Sequence, residues 1–179
     1  MSGLNSTIKF EQPIGITEQN VVAFSNDEKT EHNKSANYYN QIYTGIKYEC
    51  VEFVRRWLIM VYNISFSDVN HAIDIFNLPN FFSANNPLIK IQIKKIPNNS
   101  TNISFGDIII WKKQGHFNLY GHVGVVLGVR GNNVFIGEQN IYNKSWNNKR
   151  YSRKLMLLEN KLIDPDFKDT EIIGWIKYY

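Results

Sequence analysis

An apolar periodicity of three and four residues runs through residues 50–62 and constrains the fold more than any other feature of the sequence. Its members are Val51, Val54, Leu58 and Val61. A single apolar stripe with this spacing predicts an amphipathic α-helix from Cys50 to Tyr62. Such a helix has to bury its stripe against a second layer of structure, which the rest of the chain must supply.

The predicted helix begins at the only cysteine of the chain, Cys50. The first turn of a helix carries unpaired N–H groups and the positive end of the helix dipole. Both properties favour ionisation of a thiol and offer a donor to a developing oxyanion, which suits acyl transfer. Taken alone, a single cysteine is more often a small buried core residue, so a nucleophile also requires a base within reach.

The remaining patterns favour an α+β fold with N-terminal helices packed on an antiparallel sheet. Residues 1–19 are expected to form an extended lead-in, residues 38–43 a short helix, and a second helix capped by Ser67 or Asp68 should end before Pro79. From residue 104 onwards the pattern is that of β-structure, with strands expected at 108–112, 122–129, 133–138 and 172–178. A chain of 179 residues with 43% hydrophobic content suits a single domain, 1–179.

Composition narrows the function classes. The net charge is +4, but the lysines and arginines are scattered, which argues against nucleic acid as a partner. No apolar run approaches the roughly 20 residues that span a bilayer, so no membrane partner is expected. A single cysteine and an N-terminus without a secretion signal favour a reducing, cytoplasmic setting. The pattern leaves the oligomeric state open.

His122 is the best candidate base for Cys50. It follows Gly121 at the start of a predicted strand, on the strand face that also carries two glycines, so it should overlook an open cleft. The other histidines fit a solvated loop, a helix cap and a loop at the rim of a site, respectively: His32, His71 and His116. No histidine shows zinc-type spacing, so no metal is expected.

Glu138 is the candidate carboxylate that would orient His122, provided that the hairpin register allows it. A three-residue loop at 130–132 places His122 opposite Asn140 and brings Glu138 diagonally next to it. A two-residue loop shifts the register by one residue and turns Glu138 away. The pair therefore requires an odd-length turn or a bulge, with Gly131 supplying a left-handed conformation.

Five stretches of the chain carry a resemblance to a known family. They are CVEFVRRWL at Cys50, DVNHAIDIFNL at Asp68, GHVGVVLG at Gly121, GEQN at Gly137 and DTEIIGW at Asp169. Together they resemble the CHAP superfamily of cysteine, histidine-dependent amidohydrolases and peptidases. Within it, they are similar to the amidase domains of bifunctional glutathionylspermidine synthetase/amidases.

The resemblance implies a papain-like fold, with Cys50 as nucleophile, His122 as general base and then acid, and Glu138 as the orienting carboxylate. It further implies Arg55 and Asn140 as substrate contacts. The implied reaction is thiol-dependent hydrolysis of glutathionylspermidine, a small-molecule glutathione–polyamine conjugate, to glutathione and spermidine through a thioester on Cys50. Neither a cofactor nor ATP is expected to take part.

One position departs from the family pattern, because Glu49 stands where relatives carry glutamine. The backbone of Cys50 and the side chain at position 49 are the candidate oxyanion hole, and a carboxylate there would oppose the developing negative charge. Two alternatives stay open, of which the second depends on Glu49. One is a peptidoglycan amidase or endopeptidase of the same superfamily, and the other is a catalytically weak module that binds glutathione conjugates.

Overall fold

The computed structural model describes residues 8–27 and 35–179 of the chain, so His32 and the start of the expected lead-in lie outside the described residues. The structure contains one α-helix, α1, at Cys50–Tyr62, and 3₁₀ helices at Ala72–Asn77 and Gly115–Phe117 within these ranges. None of the described helices has the length and apolar character needed to cross a membrane.

The strands follow in chain order. They are β1 Pro13–Ile16, β2 Val22–Phe24, β3 Ala36–Tyr39, β4 Ile42–Ile46, β5 Ile64–Ser65, β6 Phe81–Ser83, β7 Asn86–Ile91, β8 Ile93–Pro97, β9 Ile108–Trp111, β10 His122–Arg130, β11 Asn133–Gly137, β12 Arg153–Leu158, β13 Lys161–Ile163 and β14 Ile172–Tyr178. Seven of them form one antiparallel sheet in the order β13-β12-β11-β10-β9-β14-β8. The others form small sheets of two or three strands around it.

The central sheet is buried on both faces at β9. The residues of β9 are fully buried and alternate between two apolar clusters. One cluster joins Ile108 and Ile110 to buried residues of α1, among them Phe53 and Trp57. The other contains Ile109 and Trp111 with residues from the loops, among them Ile103, Phe117 and Phe167. The predicted packing of α1 on an antiparallel sheet is therefore confirmed.

The helix α1 begins and ends at the predicted residues. At its C-terminus Asn63 adopts a left-handed conformation (φ 55°), and its N–H bonds the carbonyls of Leu58 and Ile59. At its N-terminus Glu49 is the extended residue that precedes the first turn. The amphipathic pattern alone predicts this helix correctly, because the pattern lies entirely within the residues of the helix.

The prediction of several N-terminal helices is wrong. Residues 38–43 belong to the hairpin β3–β4, whose turn residues Asn40 and Gln41 both have left-handed backbones (φ 48° and 67°). Two successive left-handed residues form the tight turn that a hairpin prefers and a helix cannot contain. The expected second helix is only the 3₁₀ segment Ala72–Asn77, which is capped by His71 through a reciprocal pair of bonds with Asp74.

We expect Gly174→Ala to destabilise the central sheet. A Cβ at Gly174 would lie 2.0 Å from the carbonyl oxygen of Ile96 on the neighbouring strand, at a point where the β14–β9 register also shifts. The free energy of unfolding should fall by about 1–3 kcal/mol, measured by urea denaturation. The matched control is Gly128→Ala, where an added Cβ meets no heavy atom within 4 Å. Equal stability of the two variants would contradict the packing described here.

Candidate active site

The hairpin β10–β11 brings Glu138 against His122 through a bulge, one of the two arrangements that the sequence analysis allowed. Arg130 pairs with Asn133, so the loop has two residues and not three. The register then shifts between Val126 and Gly128, where one extra residue forms a bulge. The bulge restores the register that a longer turn would have given, and His122 Nε2 lies 2.9 Å from Glu138 Oε2.

Aromatic rings enclose His122, which is only 2% exposed. Phe117 stacks on the imidazole with ring centroids 4.6 Å apart, and Trp111 lies 5.2 Å away. The expected open face is therefore largely covered, because a loop that follows β9 folds back over it. Burial lowers the pKa of His122, and the hydrogen bond to Glu138 opposes that effect only in part. The ring is accordingly neutral at physiological pH.

A buried arginine that the sequence analysis did not identify holds Glu138. Arg153, on β12, donates from Nε to Oε1 and from Nη2 to Oε2 of this carboxylate, and its Nη1 bonds Asp164. Ser152 Oγ adds a bond of 3.0 Å to Glu138 Oε1. Burial alone would raise the pKa of Glu138, but Arg153 and His122 outweigh it and lower the pKa to about 2. The carboxylate is therefore ionised over the physiological range.

The thiol of Cys50 lies in the first turn of α1, buried beside the start of β10. Its backbone partners include Val123, the residue that follows His122, and within the described residues the thiol makes no hydrogen bond to the His122 ring. Burial raises the pKa of Cys50 to about 12, and the Glu49 carboxylate adds to the rise. The expectation of an easily ionised thiol is wrong, because burial outweighs the backbone hydrogen bonds of the helix terminus.

The segment Glu138–Asn140 also fixes the start of α1. Asn140 Nδ2 donates to Glu49 Oε2 at 2.6 Å, while Gln139 Nε2 donates to the Glu49 carbonyl at 3.0 Å. Gln139 further bonds the buried carboxylate of Glu52 at 2.7 Å. The same stretch that presents Glu138 to the histidine therefore also holds the residue before the cysteine.

Arg55 lies on α1 with its side chain buried, so it is not the solvated side chain that its position alone allowed. Its Nη1 donates to the Thr44 carbonyl at 2.9 Å, and Nη2 bonds the Ser67 carbonyl and Asp68 Oδ1. Its guanidinium carbon lies 4.5 Å from the centre of the Phe66 ring. Arg55 thus connects the helix to two neighbouring segments. Among the described residues, no cluster of three or more histidine, cysteine or acidic side chains could hold a metal ion.

Comparison with known proteins supplies the family. A model of the CHAP domain matches residues 38–140, more than half of the chain and the part that contains Cys50, His122 and Glu138. The chain belongs to the CHAP family. This match agrees with the resemblance found in the cysteine and GEQN stretches.

Curated relatives of this CHAP protein carry names from glutathionylspermidine and trypanothione metabolism. The bifunctional glutathionylspermidine synthetase/amidase of Escherichia coli (strain K12) is 35% identical over 144 residues, which cover 78% of this chain and 23% of the relative. Trypanothione synthetase of Crithidia fasciculata is 29% identical over 177 residues, or 96% of this chain and 27% of the relative. The chain thus spans about a quarter of the length of these relatives.

We expect Glu49→Gln to make the Cys50 thiol more reactive. The substitution removes the negative charge that raises the pKa of Cys50, so more thiolate is present at neutral pH. The rate of alkylation by iodoacetamide should rise, by roughly tenfold for each unit by which the pKa falls. Cys50 is the only cysteine, so mass spectrometry reads this site directly. Glu159→Gln, in the turn between β12 and β13, is the control, and an unchanged or slower rate in Glu49→Gln would refute the charge effect.

Folding stability should depend on the ionised state of Glu138 at acid pH. Its pKa falls from 4.5 to about 2 on folding, so its contribution is complete above pH 4.5 and is lost as the pH falls towards 2. Glu138→Gln removes this titration and should cost about 3–5 kcal/mol near neutral pH, because the buried charge of Arg153 loses one of its carboxylate partners. Urea denaturation at several pH values should show the difference between the two proteins narrowing below pH 4.5. A constant difference would contradict a lowered pKa.

Proposed function

We propose that this CHAP protein is a cysteine amidase that hydrolyses the amide bond of glutathionylspermidine to give glutathione and spermidine. The observation that carries the proposal is the buried hydrogen bond between His122 and Glu138. His122 is the first residue of β10, and the backbone of the next residue, Val123, contacts the Cys50 thiol. The substrate class is taken from the names of the curated relatives, which match this chain across the cysteine and GEQN stretches.

The protonation states support general-base activation of the thiol rather than a preformed ion pair. The pKa of Cys50 is raised and that of His122 is lowered, so both groups are neutral in the resting site. His122 Nε2–H donates a hydrogen bond to ionised Glu138, which leaves Nδ1 as the basic nitrogen. The proton of Cys50 therefore moves to Nδ1 as the sulfur attacks the carbonyl, and Glu138 stabilises the imidazolium that forms.

The reaction then proceeds through an acyl-enzyme. The sulfur of Cys50 forms a bond to the carbonyl carbon, and the imidazolium of His122 gives its proton to the departing spermidine nitrogen as the C–N bond breaks. Water, deprotonated by the same ring, attacks the thioester carbonyl carbon. The C–S bond then breaks, glutathione leaves as the free acid, and His122 returns the proton to the Cys50 sulfur. The backbone N–H of Cys50 is the proposed donor to the oxyanion, since an ionised Glu49 can only accept.

The substrate contacts implied by the family differ in how the structure presents them. Asn140 bonds Glu49, the residue next to the nucleophile, so its amide lies at the edge of the proposed site. Arg55 is 1% exposed and bonds Thr44, Ser67 and Asp68. We therefore propose that Asn140 contacts the substrate directly. Arg55 contacts it only when substrate binding exposes part of the guanidinium group.

The function is tested by incubating the protein separately with glutathionylspermidine and with purified peptidoglycan sacculi. We expect free spermidine from the first substrate and an acid-trapped acyl adduct on Cys50 by mass spectrometry. Cys50→Ala should lose at least about a thousandfold in rate, because the nucleophile is gone. The Glu159→Gln variant, altered in the β12–β13 turn, should retain the parent rate.

The other outcomes separate the alternatives. New peptide ends from sacculi without spermidine release would assign the protein to cell-wall hydrolysis, which uses the same cysteine and histidine chemistry. Binding of glutathionylspermidine without turnover in either the parent or Cys50→Ala would support a binding module. Equal turnover in the parent and Cys50→Ala would exclude Cys50 as the nucleophile.

A further inference from the structure

Arg153 binds both oxygens of the Glu138 carboxylate. Two of its guanidinium nitrogens bond the two carboxylate oxygens, one each, so the contact is bidentate. Both side chains are buried, with 8% of Arg153 and 1% of Glu138 exposed. The two residues meet because Arg153 pairs with Ile136 in the β11–β12 ladder, which places it diagonally from Glu138. A planar fork of this kind fixes the orientation of a carboxylate as well as its charge.

The arginine is itself held from the other side by Asp164. Arg153 Nη1 bonds Asp164 Oδ1, while Trp111 Nε1 donates to Asp164 Oδ2 at 3.0 Å. The guanidinium also lies 4.9 Å from the Phe167 ring and 5.6 Å from the Trp111 ring. The position of the Arg153 fork is therefore set by contacts that do not involve His122.

We propose that Arg153 is a positioning residue that acts through Glu138, keeping this carboxylate aimed at His122 Nε2 and thereby reserving Nδ1 for the proton of the nucleophile. The proposal rests on the proposed amidase function for its catalytic consequence. Its structural part concerns only the hydrogen bonds that connect His122, Glu138 and Arg153. No contact between Arg153 and the substrate is required.

The charges around the His122–Glu138 pair determine the direction in which its titration should move when one of them is removed. Arg153 and Asp164 act directly on the coupled His122–Glu138 pair. Tyr142 interacts with Glu138, and Asp166 lies 3.8 Å from Arg153 Nη1. Removing the positive charge of Arg153 should raise the pH at which the pair binds its proton. Removing the negative charge of Asp164 should lower it.

Three variants test the proposal: Arg153→Met, Arg153→Lys and Asp164→Asn. The first readout is the pH titration of the His122 ring nitrogens by ¹⁵N NMR in the free protein, which needs no substrate. The second is the acid limb of the kcat/KM profile for glutathionylspermidine hydrolysis. Lys177→Met is the matched control, because it breaks another nearly buried ion pair, with Asp107 at 2.8 Å, that makes no contact with Glu138.

In Arg153→Met, the titration of the pair should move up by about one pH unit or more, with a loss of about 100-fold in kcat at the pH optimum. Arg153→Lys should return the titration towards that of the parent but recover only part of kcat, because lysine restores the charge without the fork. Asp164→Asn should move the titration in the opposite direction. Lys177→Met should reduce stability and leave the titration unchanged.

The outcomes distinguish this inference from the function on which it rests. An unchanged His122 titration in both Arg153→Met and Asp164→Asn would overturn the positioning role, whatever the activity. Should Arg153→Met fail to fold, the titrations of Arg153→Lys and Asp164→Asn still decide the result. The predicted titration shifts in a protein that hydrolyses neither glutathionylspermidine nor sacculi would support the positioning role of Arg153 and refute the proposed amidase function.

Discussion

The hydrogen bond between His122 and Glu138 is the interaction on which the rest of the site depends. It needs a bulge in β10, because the two-residue turn of the hairpin would otherwise direct Glu138 away from the histidine. It also needs a cation next to the carboxylate, since a lone buried carboxylate would take up a proton and cease to be a fixed acceptor. Arg153 supplies that cation from the neighbouring strand.

The proposed nucleophile, Cys50, is connected to the same short segment. Gln139 reaches the Glu49 carbonyl and Glu52 on α1, so the residue that follows Glu138 holds the first turn of the helix in place. Glu52 in turn is buried and paired with Arg56 at 2.6 Å. Adjacent residues of one strand end thus fix both partners of the proposed reaction, and the separation between base and sulfur depends on this one backbone segment.

Patterns within single segments of the sequence predict some secondary-structure elements correctly and miss others. The helix at 50–62 and the strand at 172–178 follow from periodicity and composition within their own residues, and the structure has both. The stretch 38–43 has apolar residues at helical spacing, but Asn40 and Gln41 adopt left-handed backbones, and hairpin pairing with β4 overrides the weaker helical signal.

The features that sequence analysis missed depend on pairing between strands. A bulge is defined only against its partner strand, so nothing within β10 itself reveals whether Leu127 is accommodated as an extra residue. Arg153 gives no signal because it stands beside Lys154 in the stretch RKLMLL, which has no alternating pattern, and its role arises only when β12 pairs with β11. The pKa of Cys50 depends on how deeply α1 is buried, which is also a property of the assembled fold.

The charge distribution bears on the proposed role of the buried thiol as a nucleophile. The site holds permanent negative charge at Glu138 and none at the sulfur, because Cys50 and His122 are both neutral at rest. A thiolate formed alone would be opposed by burial and by Glu49. In the proposed mechanism, proton transfer to His122 places an imidazolium between the new sulfur charge and the Glu138 carboxylate, so the attack and the transfer favour each other. The ionised Glu138 stabilises the proton only after it has moved, which makes the stabilisation specific to the activated state.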